Sequence, residues 1–352
     1  MKNSISQNLL NWYLTNSRDL PWRQTTDPYP IWLSEIILQQ TRVLQGLPYY
    51  YKFIEAFPTV DALAKADENE VLILWQGLGY YSRARNLLAC AKTVAFTFHG
   101  VFPNHYNSLV KLPGIGKYTA AAIASFAFNE KVPAIDGNVI RVISRIIGIE
   151  SRPYSPESNQ LVQQISHQWI GQVSPARYNQ AIMEFGALQC VPKNPNCNVC
   201  PIASFCYAFQ NKKVHLIPAP KLKVKIKTRF FYYFLIQSND SILIEQRQNN
   251  DIWKNLFQLP LHESSTDLPT ELVLQELVNL IHTEDWLFEE ISLPIKHLLT
   301  HQQLITRFVR IRLSHLPQKG NWLIVDKNEL TQYAFPNLVR DYLRSKNFIE
   351  PK

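Results

Sequence analysis

Residues 112–141 read L-P-G-I-G-K-Y-T-A-A-A-I-A-S-F-A-F-N-E-K-V-P-A-I-D-G-N-V-I-R. Pro113, Gly114 and Gly116 specify a sharp connection between two helices, because glycine accepts backbone angles and close approaches that a side chain blocks. The first N–H groups of the following helix point outward there and favour an anion, and Lys111 and Lys117 flank them. A phosphate is the natural ligand of such a turn, although an isolated P-G-x-G is more often the mark of an ordinary helical hairpin. Past the small-residue helix stands a lone carboxylate, Asp136, just ahead of V-I-R-V-I-S-R-I-I at helical spacing. That position is an N-cap, where backbone N–H groups and the helix dipole favour the ionised carboxylate and predict a lowered pKa.

Working outward from this stretch, Ile5, Leu9 and Tyr13 predict a helix over 5–14. Pro28 and Pro30 predict an extended connection, followed by a helix over 31–44. Glu35 lies inside that helix with Ile31, Trp32 and Leu38 within a turn, so desolvation is expected to raise its pKa and make it a proton donor near neutrality. A carboxyl pushed up paired with one pushed down is the logic of glycosidic bond cleavage. A solvated glutamate and a plain N-cap are the competing readings. Further helices are predicted over 49–56, 60–65, 69–76, 82–97, 105–111, 158–170 and 177–188. Thr59 and Asp67 are the N-caps of two of them, with Glu70 in capping-box position. Between two of these helices lies Gly77-Leu78-Gly79-Tyr80-Tyr81, a turn whose tyrosines can wedge into a base stack or simply pack in a core.

Four of the five cysteines fall in one short loop, as Cys190-x6-Cys197-x2-Cys200-x5-Cys206. Four thiolates so spaced wrap a metal ion or an iron–sulfur cube, and the single C-x2-C pair favours the iron–sulfur cluster. The pattern also fits a reducing compartment. After Leu216-Ile217-Pro218-Ala219-Pro220 the composition changes. Lys221, Lys223, Lys225 and Lys227 alternate with apolar residues, which predicts an extended segment with one basic face. Strands at 229–237 and near 303–313, a turn at 238–240 and helices at 271–281 and 337–345 predict a separate α+β domain. The resulting organisation is a helical domain over 1–215, a linker over 216–228 and a second domain over 229–352.

At 352 residues and a net charge of +8, the chain has room for two or three cores and calls for a polyanionic partner, with nucleic acid ahead of an acidic membrane surface. No apolar run approaches the roughly 18 to 20 residues that span a bilayer, and the first residues lack the apolar centre of a signal peptide. A cytoplasmic protein is expected, nucleoid-associated if bacterial.

These residues together resemble the MutY-type adenine DNA glycosylases. The resemblance rests on L-P-W-R at 20–23, W-L-S-E-I-I-L-Q-Q-T at 32–41, G-L-G-Y-Y-S-R-A-R at 77–85, L-P-G-I-G-K-Y-T-A at 112–120, D-G-N-V-I-R at 136–141 and the cysteine loop. It implies an all-α helix-hairpin-helix domain with a 4Fe-4S cluster on Cys190, Cys197, Cys200 and Cys206, followed by a Nudix-like domain. It further implies removal of adenine mispaired with 8-oxoguanine or guanine in double-stranded DNA, by a monomer that flips the base out of the duplex. Glu35 would protonate adenine at N7. Asp136 would stabilise the sugar cation, directly or through a covalent intermediate, with Tyr118 and Asn138 in support. Trp22, Arg23 and Gln180 correspond to adenine-pocket residues, and Gln40 and Tyr80 to residues inserted near 8-oxoguanine. Gly114, Gly116 and Lys117 would hold the DNA backbone.

Endonuclease III-like relatives carry at the position of Tyr118 a lysine whose amine forms an imine and cuts the strand. Tyrosine cannot, so a monofunctional glycosylase is expected. The Leu299-Thr300-His301 triplet stands where the family often has F-S-H in a loop that recognises 8-oxoguanine; Thr300 keeps the hydroxyl, while Leu299 lacks the ring. From 221 onward no G-x5-E-x7-R-E-x-x-E-E signature occurs, so the second domain is expected to bind rather than hydrolyse nucleotides. The alternatives are a glycosylase and strand-cleaving lyase for oxidised pyrimidines, and a non-catalytic DNA-damage-binding protein.

Overall fold

The computed structural model describes residues 2–171, 173–220, 226–248, 250–283 and 285–350. Most of the lysine-alternating segment at 221–227 lies outside the described residues. Two compact units are present: Met1–Ala66 with Asn86–Leu222, and Asp67–Arg85 with Lys223–Lys352. Residues 67–85, in the middle of the helical run, therefore group with the C-terminal residues.

The helices in chain order are α1 (Lys2–Asn16), α2 (Pro28–Leu38), α3 (Val43–Ala56), α4 (Val60–Lys65), α5 (Glu68–Trp75), α6 (Ser82–Thr97), α7 (Tyr106–Leu109), α8 (Lys117–Phe128), α9 (Gly137–Ile147), α10 (Pro156–Trp169), α11 (Pro175–Leu188) and α12 (Tyr207–Gln210). All but α5 and the start of α6 belong to the first unit. One of its cores unites Leu9 of α1, Val142 and Ile143 of α9, Val162 of α10, and Ile182 and Phe185 of α11, all buried. Ala120, Ala121, Ala122 and Ala124 are buried along α8. These small side chains let α8 pack closely against α2, α7 and α11, with Thr119, Ile123 and Ser125 buried beside them. Thr59 accepts from Ala62 N and Asp67 from Asn69 N, so both cap as expected.

Two expectations are corrected here. Pro28 opens α2 rather than keeping the chain extended: it occupies the first turn, where no N–H is needed, and Asp27 caps the helix by accepting from Tyr29 N. The single helix expected over 31–44 ends at Leu38, because Gln40 takes the left-handed backbone conformation, φ +55°, and α3 begins only at Val43. Leu44, which continued the apolar spacing on paper, is 89% exposed. The periodicity across the break was coincidental.

The turn between α7 and α8 is the helical hairpin read from the sequence. Gly114 has φ +72°, and a Cβ there would meet Asn86 Cβ at 2.6 Å, so a side chain is excluded both by backbone angle and by space. Lys111 and Lys117 are exposed beside it.

The second unit is built on β1 (Lys227–Ser238), β2 (Ser241–Gln246), β3 (Phe257–Gln258), β4 (Leu261–Ser264), α13 (Thr270–Ile281), β5 (Leu287–Ile291), β6 (Ile295–Leu298), β7 (Gln302–Arg312), β8 (Trp322–Asp326) and α14 (Asn337–Ser345). The strand order is β3-β2-β1-β7-β5, with β4 on β1, β6 on β7 and β8 on β2. The central pair, β1 and β7, is parallel, and the turn at Asn239, φ +51°, folds β2 back antiparallel. Alternation along β1 divides its side chains between two cores. Phe231, Tyr233 and Leu235 pack with Val339 and Leu343 of α14, whereas Tyr232, Phe234 and Ile236 pack with Val273 and Leu277 of α13. A mixed sheet between helices results, and its central strand is apolar on both faces for that reason.

Candidate active site

Glu35 sits in α2 among residues buried on every side and is itself 7% exposed. Burial pushes its carboxyl up to about 7; the Tyr118 hydroxyl, which donates to it, pulls down, the Asp136 charge pushes up, and Arg23 pulls down. The hydroxyl lies 3.9 Å from Met183 Sδ. Burial and the two carboxylates, Glu35 and Asp136, hold the Tyr118 phenol well above its usual range, so it remains a neutral donor.

Asp136 is the N-cap of α9 and accepts from Val139 N at 2.8 Å and from Asn138 Nδ2 at 2.7 Å. The lowered pKa expected from these bonds is not what the structure gives. Burial outweighs the hydrogen bonds from Val139 and Asn138 and the Arg141 charge, and the carboxyl is raised from its ordinary value. The sequence showed the cap but not the depth at which it is buried.

Around this pair the structure adds residues the sequence reading had not singled out. Arg141, one turn into α9, donates from Nη2 to Asn138 Oδ1 at 2.8 Å and to Gly186 O at 2.7 Å, and from Nε to Cys190 O at 2.8 Å. Glu184 of α11 is 1% exposed and binds Arg18 and Arg23, each at 2.7 Å. Burial alone would raise its pKa, but the hydrogen bonds from Arg18 and Arg23 more than reverse this and hold it at about 2. A lone carboxylate between Met183 and Phe185 carries the same signal that drew attention to Glu35, and it was legible on the same terms. Arg23 is thereby engaged with Glu184 and the Arg18 carbonyl. Trp22 is buried edge-on against Tyr50, and Gln180 accepts from the Tyr13 hydroxyl at 3.0 Å. Gln40 is exposed just past the end of α2. Glu35, Tyr118, Asp136 and Arg23 thus converge, while Trp22 and Gln180 are held by local packing.

Cys190, Cys197, Cys200 and Cys206 are free thiols lining one small cavity with Ile202 and Phe209. Cys190 lies within electrostatic reach of each of the other three. Arg145 of α9 holds this loop by donating to the carbonyls of Val191, Pro192 and Ile217 at 2.8–2.9 Å. Among the described residues, no group of three or more His, Cys, Asp or Glu side chains is arranged to hold a single metal ion.

In the second unit, Tyr80 has φ +48°, is 46% exposed and shares a 2.6 Å hydrogen bond with Thr300. Both line a cavity with Trp253, His297 and His301. Among the described residues, no helix is long and apolar enough to cross a membrane.

The profile described as HhH-GPD superfamily base excision DNA repair protein matches residues 33–169, and that of the NUDIX domain matches residues 232–345. The adenine DNA glycosylase of Buchnera aphidicola subsp. Baizongia pistaciae is 42% identical over 268 residues, covering 74% of this chain and 75% of its own length. That of Buchnera aphidicola subsp. Schizaphis graminum is 39% identical over 261 residues, covering 73% and 74%. A solved thermostable thymine-DNA glycosylase superposes with a TM-score of 0.55 at 27% identity, over 60% of this chain and 97% of its own. With a helical hairpin ahead of the half-buried Asp136, a buried Glu35 beside it, and relatives of this closeness along most of their length, the chain belongs to the adenine DNA glycosylase family.

Proposed function

We propose that this protein removes adenine paired with 8-oxoguanine or guanine from duplex DNA and leaves an abasic site without cutting the strand. The observation that carries the reading is the placement of Glu35, buried within α2 beside the Tyr118 hydroxyl and the Asp136 carboxylate, where burial raises its carboxyl to about 7. A protonated Glu35 donates to N7 of the flipped-out adenine, so that the base departs neutral as the C1′–N9 bond breaks. The Asp136 carboxylate, oriented by Asn138, stabilises the positive charge that develops on the sugar. Water then adds its oxygen to C1′ and gives up a proton, which restores Glu35. Tyr118 has no amine with which to form an imine, which supports base removal without strand scission.

The partner is double-stranded DNA, in keeping with the charge of +8. The P-G-I-G turn offers its N–H groups and Lys117 to the backbone. Gln40 and Tyr80, both exposed and both in left-handed backbone conformations, are the residues proposed to enter the stack beside 8-oxoguanine, with Thr300 and His301 reading the lesion. Trp22, Arg23 and Gln180 form the adenine pocket. The four cysteines fit a 4Fe-4S cluster better than a single ion, because they stand around the walls of one apolar cavity and a cluster presents a separate iron to each thiolate. When bound, the cluster supplies four iron–thiolate bonds that fix the 190–206 loop; iron without stoichiometric zinc in elemental analysis supports this, and the reverse removes it.

The decisive experiment is a single-turnover assay on duplexes with adenine opposite 8-oxoguanine and opposite guanine. Strand breaks that appear only after alkali are expected, with Glu35→Gln and Asp136→Asn each losing at least about 100-fold in rate while duplex binding persists. Breaks without alkali, at thymine glycol instead of adenine, would establish the lyase alternative. Tight binding without release of base would leave a damage-binding protein.

A further inference from the structure

Tyr154, in the loop between α9 and α10, has no part in the chemistry above. Its φ of +68° lies in a region that costs a large aromatic residue stability. Hydrogen bonds on both sides maintain it: Ser155 N donates to Arg152 O at 3.2 Å, Asn159 Nδ2 donates to Tyr154 O at 3.2 Å, and Ser155 caps α10. The ring is 50% exposed, and Tyr154 lies within electrostatic reach of Arg141. Its hydroxyl stands over the first turn of α9, where a Cβ built on Gly137 would come within 3.3 Å of it. Tyr154 and Pro153 form part of the wall of an open cavity whose lining also includes Asp136, Gly137 and Asn138.

We infer that Tyr154 is a DNA-contacting residue that takes the sugar-phosphate next to the nucleotide being excised, with its ring against sugar or base and its hydroxyl donating to a phosphate oxygen. The inference rests on the adenine-excision reading, since a sugar placed at Asp136 brings its flanking nucleotide into this cavity. An aromatic face receives sugars and bases without sequence preference, and a phenolic hydroxyl is an ordinary phosphate donor.

Tyr154→Gly and Tyr154→Asn introduce residues that adopt the left-handed conformation readily, so the fold is expected to keep or raise its thermal midpoint. Binding is measured in the full chain on a duplex bearing 2′-fluoro-2′-deoxyadenosine opposite 8-oxoguanine, which resists cleavage, and excision is measured at saturating enzyme. Affinity about tenfold weaker, with the saturating rate within about twofold of the parent, is the expected result. Unchanged affinity in either folded variant overturns the assignment, as does a loss confined to the saturating rate, which would place Tyr154 behind Arg141 and Asp136. Should both variants melt early, Tyr154→Phe decides: binding about threefold weaker supports the hydroxyl contact, and equal binding ends it. A parent enzyme that releases no adenine sinks the functional reading itself, a result visible before any variant is made.

Discussion

Glu35 and Asp136 are both raised by burial, so the chemistry operates between two titrations. Glu35 must hold its proton and is half-ionised near about 7; Asp136 must be ionised and is protonated at a pH above its ordinary value. The single-turnover rate is expected to fall on the alkaline side as pH passes about 7, and on the acid side earlier than for an ordinary aspartate. The Tyr118 hydrogen bond favours the ionised Glu35, so Tyr118→Phe should move the alkaline limb to higher pH; a limb that stays put would detach Tyr118 from Glu35. The same shift affects stability with a definite sign. Folded Glu35 keeps its proton above the ordinary 4.5, so its contribution to stability falls as pH rises from there to about 7.

At the scale of elements, α9 and α11 set the position of Asp136. A Cβ on Gly186 of α11 would lie 2.6 Å from Asn138 Cβ and 3.2 Å from its backbone, atoms that cannot swing aside. Gly186→Ala is expected to displace Asn138 and loosen its 2.7 Å bond to Asp136. Loss of a hydrogen bond to a charged group predicts a rate lower by about 10- to 100-fold, with duplex affinity and helical content retained. Normal turnover in that variant would show that α11 yields without disturbing the carboxylate. The pair Arg18 and Arg23 with Glu184 joins α11 to the segment before α2, and it is strongly coupled because Glu184 is 1% exposed. Removing the carboxylate leaves Arg18 and Arg23 without their shared partner; because both guanidinium side chains reach solvent, Glu184→Ala should cost about 1–3 kcal/mol in denaturant unfolding. A loss below about 1 kcal/mol would mean that the arginines find water or other partners.

For the whole molecule, residues 67–85 belong with the C-terminal unit although they interrupt the helical one in sequence. Asn69 Nδ2 donates to Gln332 O at 2.7 Å, Arg85 Nη1 to Lys254 O at 2.9 Å, and Arg340 Nη1 to Gln76 Oε1 at 3.2 Å. A chain ending at Leu222 deprives this segment of those partners. Faster amide exchange across 67–85 than in the full chain is the expected outcome. Equal protection would show that the segment is held by its own helices.

The sequence by itself determined the hairpin turn, the cap at Asp136, the cysteine loop and the apolar strands near 229–237 and 303–313. All of these follow from local spacing and residue type: glycine where a backbone must turn, a carboxylate ahead of a helix, an apolar run bounded by turn residues. The sequence left the burial of Glu35 open against a solvated glutamate. It misjudged the end of α2, where apolar spacing ran on through Leu44 into solvent, and the direction of the Asp136 shift. Only the tertiary structure decided these points, together with the pairing of Glu184 with Arg18 and Arg23 and the grouping of 67–85. The reason is physical. Desolvation and ion pairing depend on what surrounds a side chain in three dimensions, and Glu184 meets Arg18 across 166 residues of chain.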